Sequence, residues 1–224
     1  MKGPDGVKRV FAYSPASPGL RALLGYARSR NVPRAALVAL VVALAATVYA
    51  GQQVPLPQLR QLTDYSVPLA AVVPVVHAVV LATTTFSPMA DLEHTAAQPM
   101  HRHRAVQMAA VLMYATLLAV LPMAAGASAE VTVAAVRNVA GYLGLAMIGA
   151  RLFGSGLAWL PPLAVFGPTL LAGVRWDNTP EPWAWSIHGP HSVPAAVTAT
   201  VLCAVGLVLA ATTTPRRAER DEQG

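Results

Sequence analysis

The stretch VTVAAVRNVAGYLGLAMIGA, residues 131–150, decides how many times this chain can cross a membrane. Its longest uncharged run is residues 138–150, because Arg137 interrupts the apolar sequence and Arg151 ends it. A helix needs about 20 residues to cross the hydrocarbon layer of a bilayer. A crossing here must therefore begin near Val131 and carry Arg137 inside the span, and we predict that it does.

The rest of the chain is equally apolar. It has 224 residues, of which 55% are hydrophobic and 12% charged, with a mean hydropathy of +0.50. This composition is typical of an integral membrane protein. Five other uncharged stretches are each long enough for a span: 35–59, 65–90, 105–129, 152–174 and 182–215. We predict an all-α polytopic membrane protein with six transmembrane helices, at about 35–51, 67–85, 105–124, 131–150, 156–174 and 194–212.

The positive residues predict the orientation. If both termini are cytoplasmic, the outer loops hold only Arg60 and Arg175, and every other Lys or Arg except Arg137 is cytoplasmic. Lys and Arg are retained on the cytoplasmic side of a membrane. The chain contains many more Arg than Lys residues and is rich in Ala, Gly and Pro, which favours a GC-rich bacterial genome. We therefore predict a multi-pass protein of the bacterial cell membrane. Its pI near 10 then mostly reflects the excess of positive residues on the cytoplasmic side and attraction to anionic lipid, and we predict no binding of nucleic acid.

Three domains follow from these spans: a cytoplasmic segment 1–34, a transmembrane domain 35–212 and a cytoplasmic tail 213–224. The first contains SPGLRALLGYARSRNVPR, in which Ser17 can cap a helix that begins at Pro18. Its apolar stripe consists of Leu20, Leu23, Leu24 and Ala27. Such a helix lies in the membrane interface, although a disordered basic leader is the alternative.

The sequence lacks the motifs of nucleotide hydrolysis and of common hydrolases. It contains no GxxxxGK[ST], GxSxG, HExxH or CxxC, and the lone Cys203 allows no internal disulfide. One cluster could be taken for metal ligands: Glu93, His94, His101 and His103. Arg102 and Arg104 flank two of these histidines, and fixed positive charges oppose the binding of a cation. We predict no enzymatic activity, no cofactor and no metal.

Four residues are candidates for lining a transport pathway: Arg137, Asn138, His77 and Pro168. An arginine at the centre of a membrane helix costs about 2.5–3.5 kcal/mol on insertion scales. Arg137 either snorkels outward or faces the bundle interior beside Asn138, where it would attract an anionic group. Pro168 interrupts the fifth span, which either lines a cavity or is merely kinked. His77 follows Pro74 by one turn and raises the same question.

The outer loop before the sixth span, RWDNTPEPWAWSIHGPHS, residues 175–192, contains three tryptophans. Tryptophan rings are enriched at the depth of the lipid headgroups. This loop is therefore either an interfacial or shallow re-entrant segment, or a plain aromatic anchor.

The polar stretch FSPMADLEHTAAQPMHRHRA, residues 86–105, connects the second and third spans. Ser87 can cap a helix whose first residue is Pro88, with Asp91 in its first turn and Pro99 at its end. One face of this helix is apolar and the other is polar, which predicts a short amphipathic cytoplasmic helix followed by a basic turn.

With these features the chain resembles the membrane subunits of the ABC-2-type transporter permease family. The resemblance rests on six spans with both ends inside, an amphipathic helix before the first, MADLEHTAAQP after the second, HRHRA before the third and a re-entrant-like element before the sixth. It implies a homodimer or heterodimer of permease subunits, partnered with a separate nucleotide-binding ATPase, that works as an exporter.

The resemblance also assigns the amphipathic helix. In that family the helix after the second span is the coupling helix, which sits in a cleft of the ATPase, and its acidic residue corresponds to Glu93. The coupling residues are then Met89, Asp91, Leu92, Glu93 and His94. The alternatives are a non-transporting membrane scaffold or immunity-type protein, in which the loop recruits another partner, and a membrane enzyme that uses the histidines.

Overall fold

The computed structural model describes residues 28, 30–49, 52–57, 65–85 and 100–212. The apolar stripe of the predicted interfacial helix, the cytoplasmic tail and the predicted coupling helix fall outside the described residues. The residues assigned to that coupling helix, Met89, Asp91, Leu92, Glu93 and His94, are therefore among those not described. Of the described residues, 76% are helical.

Six α-helices form this part of the chain, and each falls on one of the predicted spans. They are α1 (Val32–Val48), α2 (Leu69–Ala82), α3 (Met100–Val120), α4 (Ala129–Leu152), α5 (Leu160–Ala172) and α6 (Val193–Thr212). A tight 3-10 turn extends α3 over Leu121–Ala125.

Three helices, α3, α4 and α6, are long and apolar enough to cross a membrane. The other three are shorter apolar helices. With 13 residues at 1.5 Å each, α5 extends only about 20 Å, against about 30 Å for the hydrocarbon core. A crossing at α5 therefore needs additional structure beyond the helix end.

A two-stranded antiparallel sheet between α1 and α2 departs from the all-α prediction. It pairs β1 (Gln53–Leu56) with β2 (Tyr65–Pro68), and Val54 lies opposite Val67. Each strand has four residues and contains a proline, which is compatible with a strand edge. Strands this short and interrupted carry too little alternation of apolar and polar residues to be distinguished from a loop by sequence.

Helix α4 is the centre of the bundle. Buried residues make up 72% of its most apolar part, against 33% for α3 and 22% for α6. Helices α2, α3, α5 and α6 all pack against it. Four helices can pack closely around α4 because many of its buried residues are small. They include Ala134, Ala135, Gly141, Gly144 and Gly149.

Helices α4 and α6 approach each other until their backbones touch. A Cβ atom added to Gly144 would collide with the backbone of Leu202 and Cys203, and one added to Gly206 would lie 2.6 Å from the carbonyl oxygen of Gly144. Small residues allow this approach, which gains van der Waals contact between helices in a bilayer. The two glycines therefore fix the crossing of α4 and α6.

A contact near the helix ends indicates that α2 and α3 run in opposite directions. The Gln107 side chain, near the start of α3, donates a 2.9 Å hydrogen bond to the carbonyl of Thr84, just after α2. The 3-10 turn Thr83–Thr85 also packs near the turn Ser155–Leu157 that precedes α5. We call this the Thr84 end of the bundle, and the opposite one the Arg137 end.

Candidate functional site

The segment between α5 and α6, residues 173–192, folds into a compact unit at the Arg137 end, which we call the cap. Val174 pairs with Pro180 in an isolated antiparallel bridge, and the amide of Glu181 donates to the carbonyl of Gly173 at 2.8 Å. Asn178, with φ of 62°, makes the turn between them. The cap is therefore a short hairpin followed by a 3-10 turn, Trp185–Ile187, that leads into α6.

Arg137 and Asn138 on α4 hold this cap through its backbone carbonyl groups. The Arg137 guanidinium donates to the carbonyl of Gly189 at 2.8 Å and to that of His188 at 3.0 Å. Asn138 donates to the carbonyl of Ser186 at 2.7 Å. The side-chain oxygen of Asn138 in turn accepts two bonds of 3.1 Å from Arg137. The two side chains thus act as one donor unit.

The site formed by Arg137 and Asn138 lies about two turns inside α4, counted from its first residue. Arg137 is eight residues after the start of α4, or about 12 Å along the axis. Gly149 packs against Pro161, so the 11 residues from there to the end of α5 reach about 16 Å, to the level of Asn138. The cap therefore occupies the space above the short α5, beside the first turns of α4.

Irregular backbone at that depth needs internal hydrogen-bond partners if the bundle lies in a membrane, because lipid offers none. Arginine suits the task because its planar guanidinium carries five N–H donors. Arg137 is 8% exposed and Asn138 is fully buried. The cost of burying the arginine is thus offset by several charge-assisted hydrogen bonds.

Aromatic packing attaches the cap to α4 one turn further along. The Trp185 ring lies over Gly141, where an added Cβ would stand 2.8 Å from its Cζ3 atom. The Tyr142 ring lies 5.0 Å from Trp185 and 6.2 Å, edge to face, from Phe166 on α5. Polar and apolar contacts together fix the cap against α4, and the turn Trp185–Ile187 also packs against α5.

The predicted pathway residues occupy different places. Arg137 and Asn138 face the interior, which is one of the two alternatives that the sequence left open. His77 is buried on α2 and lies 3.2 Å from the carbonyl of Ala39 on α1. Pro168 is exposed on α5, which continues through it, and the next residue, Thr169, bonds back to the carbonyl of Val165 at 2.8 Å. The structure therefore joins two of the four residues in one site.

Sequence reasoning missed the partners of Arg137. The acceptors belong to the backbone of Ser186, His188 and Gly189, and a carbonyl group leaves no trace in the sequence. The available signal was the adjacent Arg and Asn inside an apolar span, which together require polar partners from elsewhere in the fold.

Asp177 at the hairpin tip is exposed and has a lowered pKa. The cause is first the hydroxyl of Thr179, which donates to its carboxylate at 2.6 Å, and then the amide of the same residue at 3.0 Å. A lowered pKa means that ionised Asp177 stabilises the tip above its unfolded pKa and loses this effect as pH falls through the folded one. The tip therefore responds to strongly acidic conditions only.

Comparison of the chain with protein-family models, with curated proteins and with solved structures finds no match. The functional argument therefore rests on the residues and their geometry.

Proposed function

We propose that this chain is the membrane-spanning permease subunit of an ATP-binding-cassette exporter of the ABC-2 type, powered by a separate ATPase subunit. In this proposal it crosses the bacterial cell membrane six times, has both termini in the cytoplasm and pairs with a second permease subunit, identical or related. The Thr84 end is then cytoplasmic, and the cap lies on the outer side.

The observation that carries the proposal is that the chain leaves the described bundle before residues 86–99, and returns after them, at the end opposite the cap. Thr85 and Met100 are the described residues on either side of the predicted coupling helix. Both lie at the Thr84 end, where Gln107 bonds to Thr84 and the turn Ser155–Leu157 packs nearby. The cap lies at the other end. A segment that leaves the bundle at one end, with the cap at the other, is compatible with an ATPase-driven permease whose coupling helix lies on the cytoplasmic side.

The cap also supports a crossing at α5. The helix is too short on its own, but the cap continues from it beside α4 with its carbonyl groups bonded to Arg137 and Asn138. In a bilayer, non-helical backbone is tolerated where protein buries it. The cap therefore supplies the length that α5 lacks.

The proposed mechanism is conformational. Closure of two ATPases pushes on the coupling helices, and the spans transmit the movement across the membrane. Contacts at Gly144 and at Arg137 join α4, the cap and α6, so we expect these three elements to move as one body.

Copurification tests the proposal. The tagged chain is extracted from its native membrane in mild detergent, and the eluate is examined for a soluble nucleotide-binding ATPase. We expect the ATPase to copurify, and to be lost when residues 88–98 are replaced by a Gly/Ser linker in a protein that still folds. An eluate in which no ATPase appears would contradict the proposal.

Replacing Glu93 by alanine should uncouple ATP hydrolysis from transport while the protein stays folded. The reason is that its carboxylate is the acidic residue of the proposed coupling helix. ATPase activity and substrate export are measured on the reconstituted complex. Glu130→Ala is the matched control, because this exposed glutamate lies in the first turn of α4 at the other end. Unchanged transport by Glu93→Ala would argue against the assignment.

One observation favours a second candidate, a non-transporting membrane scaffold. Arg137, Asn138 and His77 are buried and hydrogen-bonded within the chain. Bonds of this kind make the fold rigid, which is all that a scaffold would need from these three side chains. Copurification with a partner that does not bind nucleotide would favour this candidate.

A further inference from the structure

The tip of the cap, residues 175–179, presents the most exposed large apolar side chain of the described part of the chain. Trp176 is 87% exposed. By contrast, Trp185 of the same cap is 4% exposed and packs over Gly141. The cap therefore buries one tryptophan against α4 and leaves another outside the bundle.

Short-range bonds hold this tip in one shape. The Asp177 carboxylate accepts from the hydroxyl of Thr179 at 2.6 Å and from the amide of the same residue at 3.0 Å. Across the hairpin, Arg175 forms a 3.2 Å ion pair with Glu181, and the amide of Arg175 donates to the carbonyl of Thr179 at 2.8 Å. Trp176 is thus presented on a preformed turn, which lowers the entropy cost of placing it in a partner.

The length of the chain limits how far the tip can lie from the end of α5. Gly173 directly follows α5, whose end reaches about the level of Asn138 on α4. Trp176 is three residues further on, and an extended chain advances at most about 3.6 Å per residue, so it lies within about 11 Å of that level. The first residue of α4, Ala129, stands about 14 Å outward from Asn138. Trp176 therefore does not lie beyond the outer end of α4.

Polar side chains set the limit on the other side. Arg175, Asp177 and Asn178 are all exposed. Ionised side chains are costly in hydrocarbon, and Asp177 and Asn178 are too short to snorkel as an arginine does. The tip therefore does not turn down beside α5. In a bilayer it lies in the outer headgroup layer, which is about 5–8 Å thick on each side of the hydrocarbon.

The chemistry of the tip suits phospholipid headgroups. A tryptophan ring has an apolar body and a polar N–H group, and it is enriched at headgroup depth. The Arg175 guanidinium can bind a lipid phosphate, and the Asp177 carboxylate can face the positive amine of the same class of lipid. A surface with both signs of charge is thus complementary to a zwitterionic headgroup.

We propose that the tip of the cap docks into the headgroup layer of the outer leaflet, with Trp176 as its anchor and Arg175 and Asp177 on either side. The cap is then held from two sides, by Arg137 and Asn138 within the protein and by lipid at the tip. A movement of α4 that carries the cap must also move Trp176 against the lipid. This inference rests on the proposed crossing of the membrane by α4 and α5, but not on transport.

Fluorine NMR tests the docking. The four tryptophans are replaced biosynthetically by 5-fluorotryptophan, and each resonance is assigned with a Trp→Phe variant. The protein is placed in phosphatidylcholine nanodiscs that contain rising amounts of a lipid with a nitroxide either on the headgroup or near the end of the acyl chain. Paramagnetic broadening falls steeply with distance. We expect the Trp176 resonance to be lost at a lower content of the headgroup-labelled lipid than of the acyl-chain-labelled lipid.

Two other tryptophans are controls in the same spectrum. Buried Trp185 should be the last resonance lost, and Trp159, 39% exposed next to the start of α5, should be lost with the headgroup label. If Trp176 responded first to the acyl-chain label, or to neither label while Trp159 responded, the docking would be wrong and the crossing would stand. If neither Trp159 nor Trp176 responded, both the crossing and the docking would be wrong.

Discussion

Replacing Gly144 by leucine should prevent α4 and α6 from packing and leave little folded protein. Even a single Cβ atom at this position would collide with the backbone of Leu202 and Cys203. Overpacking a core typically costs about 1–3 kcal/mol. We expect the loss to reach at least the upper part of this range, because backbone atoms cannot move aside as a flexible side chain can. Thermal unfolding in detergent, followed by size-exclusion chromatography, measures it.

Gly156→Leu is the matched control for this change. Gly156 lies in the exposed turn before α5, and nothing lies within 4 Å of an added Cβ. Exposed substitutions of this kind usually change stability by no more than about 0.5 kcal/mol. If Gly144→Leu were as stable as Gly156→Leu, the close crossing of α4 and α6 would be wrong.

Replacing Arg137 by methionine should release the cap from α4 while most of the bundle stays folded. The substitution removes the charged donor to the partly buried carbonyl groups of His188 and Gly189. A hydrogen bond to a charged group contributes about 1.5–3 kcal/mol. We expect a total loss of about 3 kcal/mol, with faster hydrogen exchange in residues 181–192, measured by mass spectrometry.

Arg175→Met provides the comparison, since it removes an arginine that forms an exposed ion pair with Glu181. Exposed pairs contribute about 0–1 kcal/mol, so the cap should remain attached to α4. Arg137→Lys should be intermediate, because an ammonium keeps the charge but cannot make the same planar set of bonds. Unchanged exchange in Arg137→Met would show that Trp185 alone holds the cap.

The sequence was sufficient to locate the six helices because long uncharged runs are a direct physical signal. It was also sufficient to predict one long helix that contains Arg137, since the uncharged runs on either side of this residue are too short to cross a membrane alone. Both conclusions depend on hydropathy and length, which need no knowledge of the partner residues. The described helices fall on all six predicted stretches.

The partners of Arg137 could not be predicted because they are separated from it by about 50 residues and are backbone atoms. The shortness of α5 was equally hidden, since its apolar run continues into the cap. Gly144 and Gly206 illustrate the same limit: a glycine is visible in the sequence, but the helix that it contacts is not. Tertiary contacts of this kind depend on the whole fold.

Cysteine labelling on either side of α5 tests the membrane topology most directly. Trp176→Cys in the cap and Gly156→Cys before α5 are both exposed, and each is made in a Cys203→Ala background. Intact cells are treated with a membrane-impermeant maleimide. The account predicts labelling at position 176 in intact cells, and at position 156 only after the membrane is opened. Labelling of both positions from the same side would contradict the crossing by α5 and the cap, and with it the six-span permease.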